Sequence, residues 1–458
     1  MNIKNYDLYR KYLKRIMCFL GAVIIFCGIS ELLNYMYDRE NEWARIMWHY
    51  FYEDKGKIDN VIIGSSHVFC DIKPEKLDEI NGQYNFNLSA SALRLNGSYY
   101  LLKEADRNNS LSNVYLELYY PMNTKIDSSN LDPIYTENHW NWNNTDNMRL
   151  SVNKIEYMLD IAGPDKYVKI CLPFSRYLSK LDRWDYISQI INKKQSSDYI
   201  EYKHYENDDD GSYVEYVKQG YSYNTRTYGD KVRLKEQTRV LEESPMGEIS
   251  EKYLRKIIEY CQKKDLHITL FVSPIDELQL ISVVNYDNFI VQVNNIADEY
   301  DVEFYDFNLA KEEYLSIQRG EYFRDEGHLN DSGATIFTAF FGEVMSRGAA
   351  ENEKYFYNSY AEKLQDKSPE IYGLYYREYK SEESDQGEKY KTIWIASNWN
   401  EGVEYKVVMA PDEGEQYLIQ DFTENKEFTI DADEHGVCTI VSRMTADPEN
   451  IQSLDIPY

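Results

Sequence analysis

Five short apolar segments, separated by longer helical stretches, constrain the fold of this chain more than any other feature. They are rich in β-branched and aromatic residues, and several are apolar on both faces, which is typical of parallel strands covered by helices on both sides. Helical periodicity is found between them, at 96–108 and 247–265. Alternating strands and helices predict an α/β fold with a doubly wound, mostly parallel five-stranded sheet. The predicted strands are NVIIG (60–64), YNFNLS (84–89), NVYLELYY (113–120), HITLFVS (267–273) and VEFYDF (302–307).

The N-terminus predicts a membrane anchor. Residues 1–15 contain five Lys or Arg and one Asp, and residues 16–37 form an apolar run whose one charged residue is Glu31. At about 1.5 Å per residue, this run is just long enough to cross a bilayer core of about 30 Å. We expect a cytoplasmic basic tail at 1–15, a single transmembrane signal anchor at 16–37, and the rest of the chain outside the cell. A cleaved signal peptide is the alternative.

The acidic composition excludes some functions. The chain has a net charge of −28, which argues against binding to nucleic acid and against adsorption to an anionic membrane surface. Its six cysteines show neither CxxC pairs nor the spacing of a zinc site, so we interpret them as free and mostly buried thiols. The sequence predicts neither a metal nor a cofactor.

The alternation of predicted strands and helices is interrupted by one insertion and is followed by a region of predicted strands alone. An α/β domain is predicted at 58–350, with a large insertion at about 125–246 that reads as polar loops joined by short helices. Such insertions often form the walls of a substrate site. From residue 366 to 458, alternating apolar and polar residues between turn-like clusters predict a small accessory β-sandwich.

Two segments contain residues suited to catalysis. The first predicted strand ends in GSSH, which places Ser65 and Ser66 at the carboxyl edge of the sheet, where open α/β sheets bind ligands. We expect a helix near KPEKLDEI and backbone N–H groups in the turn before it. The segment DEGHLND contains Asp325 and His328, and on one helical turn this spacing brings a carboxylate beside an imidazole. Asp331 is predicted to cap the final helix.

These segments, in this order, resemble the SGNH/GDSL hydrolase family over about residues 58–348. The likeness is greatest to its membrane-anchored branch, the group that contains the teichoic-acid D-alanylation protein, in which Gly-Ser-Ser replaces Gly-Asp-Ser as in VIIGSSHVF. The resemblance implies a flavodoxin-like sheet, Ser66 rather than Ser65 as nucleophile, His328 as its base and Asp325 as the group that orients His328. We expect His67 to line the pocket rather than to act as a second base.

The resemblance also implies an oxyanion hole built from Ser66, Ser89 and Asn123. The family's second block is similar to NLSAS here, with Ser89 in the place of the usual glycine. The family's Gly-x-Asn-Asp block is absent, and Asn123 is the nearest asparagine. The backbone N–H groups of Ser66 and Ser89 would then be the main donors.

The function implied is that of a membrane-anchored extracellular serine esterase or O-acyltransferase that acts on acylated cell-envelope glycans through an acyl-enzyme. Acylated polysaccharide or a teichoic-acid-type polymer is the expected substrate, and a membrane-bound acyltransferase is a possible partner. One alternative is transfer or hydrolysis of D-alanyl groups on teichoic acids. Another is a non-catalytic binding or scaffold protein on the same fold, which a separation of more than about 5 Å between Ser66 Oγ and His328 would favour.

Overall fold

The computed structural model divides into two compact units. One unit consists of residues 1–49 and 132–204, and the other of residues 50–131 and 205–458. The structure describes residues 3–119, 139–161, 166–207, 209, 211–228, 233–236, 245–317, 319–380, 389–399 and 401–458.

The helices of the described residues are named in chain order. They are α1 (Ile3–Tyr37), α2 (Glu42–Glu53), α3 (Ser66–Asp71), α4 (Pro74–Asn81), α5 (Leu95–Asn108), α6 (His139–Asn147), α7 (Val152–Ile161), α8 (Tyr167–Cys171), α9 (Trp184–Lys194), α10 (Ser197–Ile200), α11 (Glu248–Lys263), α12 (Glu277–Ile281), α13 (Tyr286–Tyr300), α14 (Arg319–Tyr322), α15 (Asp331–Met345), α16 (Ala349–Asn352) and α17 (Tyr360–Asp366). Short 3₁₀ helices are found at Pro173–Lys180, Lys218–Gly220, Phe307–Leu309 and Glu353–Tyr355.

The strands of the described residues are named in the same way. They are β1 (Asn60–Gly64), β2 (Asn85–Ser89), β3 (Asn113–Glu117), β4 (Tyr205–Asn207), β5 (Tyr213–Val217), β6 (Tyr221–Asn224), β7 (Leu234–Glu236), β8 (His267–Val272), β9 (Glu303–Asp306), β10 (Ile371–Lys380), β11 (Lys389–Ser397), β12 (Val403–Pro411), β13 (Tyr417–Thr423), β14 (Glu427–Asp431), β15 (Gly436–Met444) and β16 (Asp447–Pro457).

The predicted five-stranded parallel sheet is confirmed. Its strand order is β2-β1-β3-β8-β9, and each neighbouring pair is parallel. Every residue of β1 and β2 is buried, as expected of parallel strands covered on both faces. Strand β1 is mostly apolar, whereas β2 alternates, and its buried Asn85 and Asn87 side chains donate hydrogen bonds to Asp78 Oδ1 and Val68 O. Each of the five strands lies inside a segment predicted from the sequence.

Helices cover both faces of this sheet. Ile62 and Tyr115 point to one face, where they join a buried cluster with Phe337 and Phe341 of α15. Val61 and Ile63, which point to the opposite face, are also buried. Helix α5 contacts both β1 and α11, and α11 contacts β8. A sheet with helical layers on both sides is the architecture that the sequence predicts.

The C-terminal region forms two four-stranded sheets, with the orders β14-β11-β10-β7 and β13-β12-β15-β16. Neighbours are antiparallel except β7 and β10. Leu374 and Ile393 of the first sheet share one hydrophobic cluster with Val407 and Ile440 of the second. The predicted accessory region is therefore an antiparallel β region with its own core.

In the first unit, the apolar N-terminal helix packs against short helices that come later in the chain. Residues Arg10–Tyr37 are long and apolar enough to cross a membrane. At the end of α1, Asn34 Oδ1 accepts a hydrogen bond from Phe174 N (2.9 Å), and the Tyr37 hydroxyl donates to Leu181 O (3.3 Å). Residues 139–204, predicted as part of one insertion in the α/β domain, thus belong to the unit of the N-terminal helix.

The remainder of that predicted insertion belongs to the second unit. Strands β4, β5 and β6 form a small antiparallel sheet there, and β7 joins the C-terminal region. The residues predicted as one insertion are therefore divided between the two units.

All six cysteines are free, as expected, but only Cys70, Cys261 and Cys438 are buried. The prediction of mostly buried thiols is therefore wrong for the other half of the set. Those three, Cys18, Cys27 and Cys171, all lie in the first unit, and the first two lie on the exposed apolar surface of α1.

Gly64, the last residue of β1, leaves no room for a side chain. A Cβ atom built there would lie 2.5 Å from Glu117 Cβ and 2.7 Å from Val68 Cγ2. We expect Gly64→Ala to lower the free energy of unfolding by about 1–3 kcal/mol because of overpacking, as measured by urea unfolding. Gly348→Ala is the control, since a Cβ there meets nothing within 4 Å. Equal unfolding midpoints for the two variants would contradict this account.

Candidate active site

Ser66 stands at the junction between a strand and a helix. The strand β1 ends at Gly64, and Ser65 caps the following helix because its Oγ accepts a hydrogen bond from His67 N (3.3 Å). Ser66 is the first residue of α3 and is partly exposed, whereas Ser65 is buried. The helix predicted near KPEKLDEI is confirmed as α4, and the additional short helix α3 begins at the serine itself. Of the two serines, Ser66 is the one whose side chain is partly exposed.

The strand order places Ser66 where ligands bind in sheets of this kind. From β1 the chain goes first to β2 on one side and then to β3 on the other. At such a switch point the connections leave in opposite directions, which opens a crevice beyond the carboxyl ends of the strands. Ser66 follows β1, and Tyr119 follows β3 on the other side of this crevice.

Ser66, His328 and Asp325 form a continuous chain of hydrogen bonds. Ser66 Oγ lies 2.7 Å from His328 Nε2, and His328 Nδ1 lies 2.8 Å from Asp325 Oδ1. A carboxylate at Nδ1 holds the proton on that nitrogen and leaves Nε2 as an acceptor for the serine proton. The structure thus brings together the three residues that the sequence predicts, although two of them are 262 positions apart.

The Asp325–His328 segment is a tight turn and not the helical turn that the sequence predicts. Asp325 Oδ1 accepts hydrogen bonds from Gly327 N and His328 N, both at 2.9 Å, and Arg324 N donates to His328 O (3.0 Å). Because the carboxylate bonds to its own turn as well as to the ring, it fixes the backbone and the imidazole together.

Asp325 is held in its ionised form. Partial burial opposes ionisation, but the hydrogen bond from His328 and the nearby Arg324 guanidinium, whose Nε lies 3.5 Å from Asp325 Oδ2, hold the pKa of Asp325 well below its usual range. The carboxylate is therefore charged throughout the ordinary pH range, as an orienting group must be.

A backbone contact joins the turn of His328 to the helix of Ser66. Leu329 N donates a hydrogen bond to the buried Asp71 Oδ1 (2.9 Å), at the end of α3. On the other side of the turn, Asp276 N donates to Glu326 O (3.1 Å). These bonds fix the turn on both sides, so the separation of Ser66 and His328 does not depend on their own hydrogen bond alone.

His67 supports the ring of His328. The two imidazoles are tilted against each other with centroids 4.6 Å apart, and Tyr119 packs on His67 at 4.1 Å. Burial, together with His328 and Arg324, lowers the pKa of His67 well below its ordinary value, so His67 is neutral. The structure places it beneath the site, packed on His328, and the sequence did not predict this contact.

Glu117 is a second residue that sequence reasoning missed. It is the last residue of β3, is buried, and accepts a hydrogen bond from Ser65 N through Oε2 (2.7 Å). Burial raises the pKa of Glu117 to about 7, although the bonds from Ser65 oppose the shift. The signal was present, since Glu117 is a single charge inside the apolar run VYLELYY. Its role is to hold the turn that carries Ser66.

The predicted oxyanion residues can be located only in part. Ser89 ends β2, is fully buried, and is the register partner of Gly64 in β1. It therefore lies at the same edge of the sheet as Ser66, and its Oγ has no hydrogen-bond partner among the residues that the structure describes. Asn123 lies outside the described residues. The composition of an oxyanion hole stays a prediction.

Helix α15, which follows the turn of His328, is capped differently from the prediction. Asn330, and not Asp331, is the N-cap residue, and its side chain accepts from Gly333 N (3.0 Å). Asp331 Oδ1 instead binds Lys73 Nζ at 2.7 Å and the Tyr221 hydroxyl at 2.9 Å. The Asp331 carboxylate is therefore bonded to Lys73 and Tyr221 and does not cap the helix.

Among the described residues, no group of three or more His, Cys, Asp or Glu side chains is arranged to hold a metal ion. The acid groups near Ser66 instead bond to backbone N–H groups, as Asp71 and Glu117 do.

Comparison with known proteins adds little to this geometry. No family model matches the chain, and no curated protein matches it. Among solved structures, a Cellulomonas fimi endo-beta-1,4-mannanase double mutant is similar at 9% identity, with 92% of this chain and 98% of that chain covered and a TM-score of 0.16. A TM-score this low carries no argument about the fold or the function of this chain.

The buried carboxyl of Glu117 predicts a pH dependence of stability. Its pKa is 4.5 in the unfolded chain and about 7 in the folded one, so the folded state binds more protons between these values. Stability should therefore fall as the pH rises from about 4.5 to 7. Glu117→Gln cannot titrate, and relative to wild type it should gain on the order of 3 kcal/mol between pH 4.5 and 8.

Urea unfolding of both proteins at several pH values measures this difference. The test is how the difference in stability between the two proteins changes with pH. A buried amide with an unpaired N–H lowers stability by about 1–3 kcal/mol at every pH, so it does not change this slope. Asp306, whose pKa burial also raises, affects both curves alike and cancels. The charge of Glu117 adds to the effect of burial in raising the pKa of Asp71, so the measured difference includes this coupling. The control is Glu248→Gln at an exposed site. Parallel curves for wild type and Glu117→Gln would show that this account of Glu117 is wrong.

Proposed function

We propose that this chain is a membrane-anchored serine esterase or O-acyltransferase of the SGNH type, with Ser66 as nucleophile. The observation that carries the proposal is the hydrogen-bond chain from Ser66 Oγ through His328 to Asp325. A serine hydroxyl is a weak nucleophile at neutral pH and needs an adjacent base that a third group orients. Here all three parts lie at the switch point of a parallel sheet, where the hydroxyl is accessible.

The first half-reaction would form an acyl-enzyme. Ser66 Oγ attacks the ester carbonyl while its proton passes to His328 Nε2, and the tetrahedral oxyanion is stabilised by backbone N–H donors at the edge of the sheet. The C–O bond to the alcohol then breaks, and the alcohol leaves with the proton from His328. Asp325 stabilises the imidazolium that exists between these two transfers.

The second half-reaction would release the acyl group. Water or a sugar hydroxyl attacks the acyl-enzyme, His328 takes its proton, and the acid or the new ester departs as the proton returns to Ser66. Hydrolysis and transfer use the same residues and differ in the acceptor, so exclusion of water decides between them. Acylated envelope glycans, with acetyl as one acyl group, are the substrates that the proposal favours.

The spacing of the hydroxyl and the ring favours catalysis over a scaffold role. A binding protein that had lost the chemistry would have no need to keep the two groups within hydrogen-bond distance, yet they lie 2.7 Å apart. This is well inside the limit of about 5 Å beyond which a scaffold would be favoured. Transfer or hydrolysis of D-alanyl groups uses the same triad, so the acyl group stays a prediction.

The N-terminal helix supports a retained anchor. The hydrogen bonds of Asn34 and Tyr37 to residues 174 and 181 tie the end of α1 to its own unit. Cleavage of α1 as a signal peptide would remove these contacts. We therefore propose a single-pass anchor with the site outside the cell, next to envelope polymers and to any membrane-bound acyltransferase that supplies acyl groups.

Labelling with a serine-directed fluorophosphonate probe tests the nucleophile. We expect wild type to be labelled and Ser66→Ala to lose labelling, because only Ser66 Oγ is bonded to His328. Ser65→Ala is the matched control. It removes a helix cap, at a cost of about 1 kcal/mol, but leaves the nucleophile in place and should keep its label. Labelling of Ser66→Ala, or none of wild type, would exclude this mechanism.

A second test concerns the orienting carboxylate. Asp325→Asn would let an amide donate toward Nδ1 and so favour the wrong tautomer of His328, which should lower the rate of labelling and of ester hydrolysis by about 10³–10⁴. Acetyl and D-alanyl esters of the same activated alcohol, compared in parallel, separate the two acyl classes. An unchanged rate in Asp325→Asn would remove Asp325 from the mechanism.

A further inference from the structure

Residues 150–184 expose an unusual concentration of large apolar side chains. Leu150, Val168 and Trp184 are 82%, 62% and 71% exposed. Single exposed apolar residues are common on protein surfaces, but a group of them marks a surface that another phase or molecule covers. We give the name apolar collar to the exposed side chains of Leu150, Val152, Leu159, Val168, Leu178 and Trp184.

The helices that carry the apolar collar form a continuous group attached to the N-terminal helix. Helix α7 contacts α8, α8 contacts the 3₁₀ helix Pro173–Lys180, and that helix contacts α1. Helix α9 also contacts α1, where the Tyr186 hydroxyl donates to Tyr37 O (3.0 Å). All of these contacts lie within the first unit.

The attachment point is the end of the apolar span. The collar helices bind Asn34 and Tyr37, the last turn of the segment that is long and apolar enough to cross a membrane. The neighbouring α1 residues Ile29 and Leu32 are themselves exposed. If α1 crosses a bilayer, the helices fixed to its last turn are held at the bilayer surface, near the end of the span.

The local charge differs in sign from that of the whole chain. Residues 166–183 contain five Lys or Arg and one Asp, although the chain as a whole carries −28. Arg176 is paired with Asp146, and Arg183 with Asp185, while Lys169 is exposed. Apolar residues with Trp at the edge and Lys or Arg beside them are typical of helices that lie in a membrane interface with anionic lipids.

We propose that the apolar collar lies in the outer surface of the bilayer in which α1 is anchored, with the basic side chains of residues 166–183 at anionic lipid headgroups. The overall acidity of the chain predicts the opposite, but lipid attraction acts over about a Debye length of 8–10 Å and so responds to local charge. The collar would fix the first unit against the membrane instead of leaving it on a free tether. This inference depends on α1 spanning the membrane and not on the proposed chemistry of Ser66.

A fluorescent label in reconstituted full-length protein tests the proposal. The exposed cysteines are first removed as Cys18→Ala, Cys27→Ala and Cys171→Ser, and Leu178→Cys is labelled with an environment-sensitive NBD group. The vesicles contain phosphatidylcholine, phosphatidylglycerol and a phospholipid with a nitroxide near the top of its acyl chain. We expect the nitroxide to quench this label at least about twofold more than a label in water.

The matched control is Leu418→Cys in β13, since Leu178 and Leu418 are both leucines that are 52% exposed. A third label at Phe26→Cys reports insertion of the span. It is measured in vesicles whose nitroxide lies near the end of the acyl chain, because Phe26 lies about 16 Å along α1 from Tyr37. Strong quenching at 178 and 26 with little at 418 is the expected result. Quenching at 26 but not at 178 would overturn the proposal, leave the anchor intact and point to a membrane protein as the occupant of the collar. Equal quenching at 178 and 418 would indicate non-specific adsorption and also overturn it.

Charge reversal supplies an independent readout. Lys169→Glu with Lys180→Glu should reduce quenching of the label at 178 in vesicles with phosphatidylglycerol and change it little in pure phosphatidylcholine, because each cation contributes only near an anionic surface. A loss of quenching that is the same in both lipids would contradict the role assigned to anionic headgroups.

Discussion

The hydrogen bond between Ser66 and His328 depends on a parallel sheet that brings the first and last parts of the α/β region to one edge. Ser66 follows β1, an interior strand of the sheet, and His328 lies in the turn between α14 and α15. Neither position is fixed by local contacts alone, since the serine turn is also bonded to buried Glu117 and the histidine turn to buried Asp71. Two buried carboxyls thus act as supports, and their backbone bonds offset part of the cost of burying them.

These supporting carboxyls explain why more ionisable side chains lie at the site than the three residues of its hydrogen-bond chain. Burial raises the pKa of both Asp71 and Glu117, while Asp325, which borders the crevice, has its pKa lowered by His328 and Arg324. The same kind of side chain therefore has a raised pKa where it supports backbone and a lowered pKa where it orients the imidazole. Environments that separate the titration of similar groups are characteristic of acid–base sites.

Much of the fold was predictable because the signals are local. Strands covered on both faces are indicated by short runs rich in apolar residues, and strands of the C-terminal region by alternating apolar and polar residues. Strand β16 has a weak local signal because its residues are mostly exposed and polar, and its place is set by backbone pairing with β15. The division of the predicted insertion between two units was also missed, since it depends on what Asn34 and Tyr37 bind in three dimensions.

The candidate site was predictable to a similar degree. The order of Ser66, Asp325 and His328 along the chain was sufficient to pair them, but the side chains that support them share no sequence pattern. The contact of His67 with the His328 ring, for example, exists only because the strand order brings both to the same crevice. Likewise, neighbouring residues do not show that Asn330 rather than Asp331 caps the helix, because Asp331 binds Lys73, which lies 258 residues away.

The interleaving of the two units along the chain has a consequence for biosynthesis. The apolar helix α1 leaves the ribosome first, then β1, β2 and β3 follow, and only afterwards come the helices that bind the end of α1. Strand β8, the parallel neighbour of β3, is made about 150 residues after β3. Until β8 is made, the edge of β3 that pairs with it has no partner strand, a state in which nascent chains are prone to aggregate. A protein built in this order is expected to benefit from folding factors until its last parallel strands have been made.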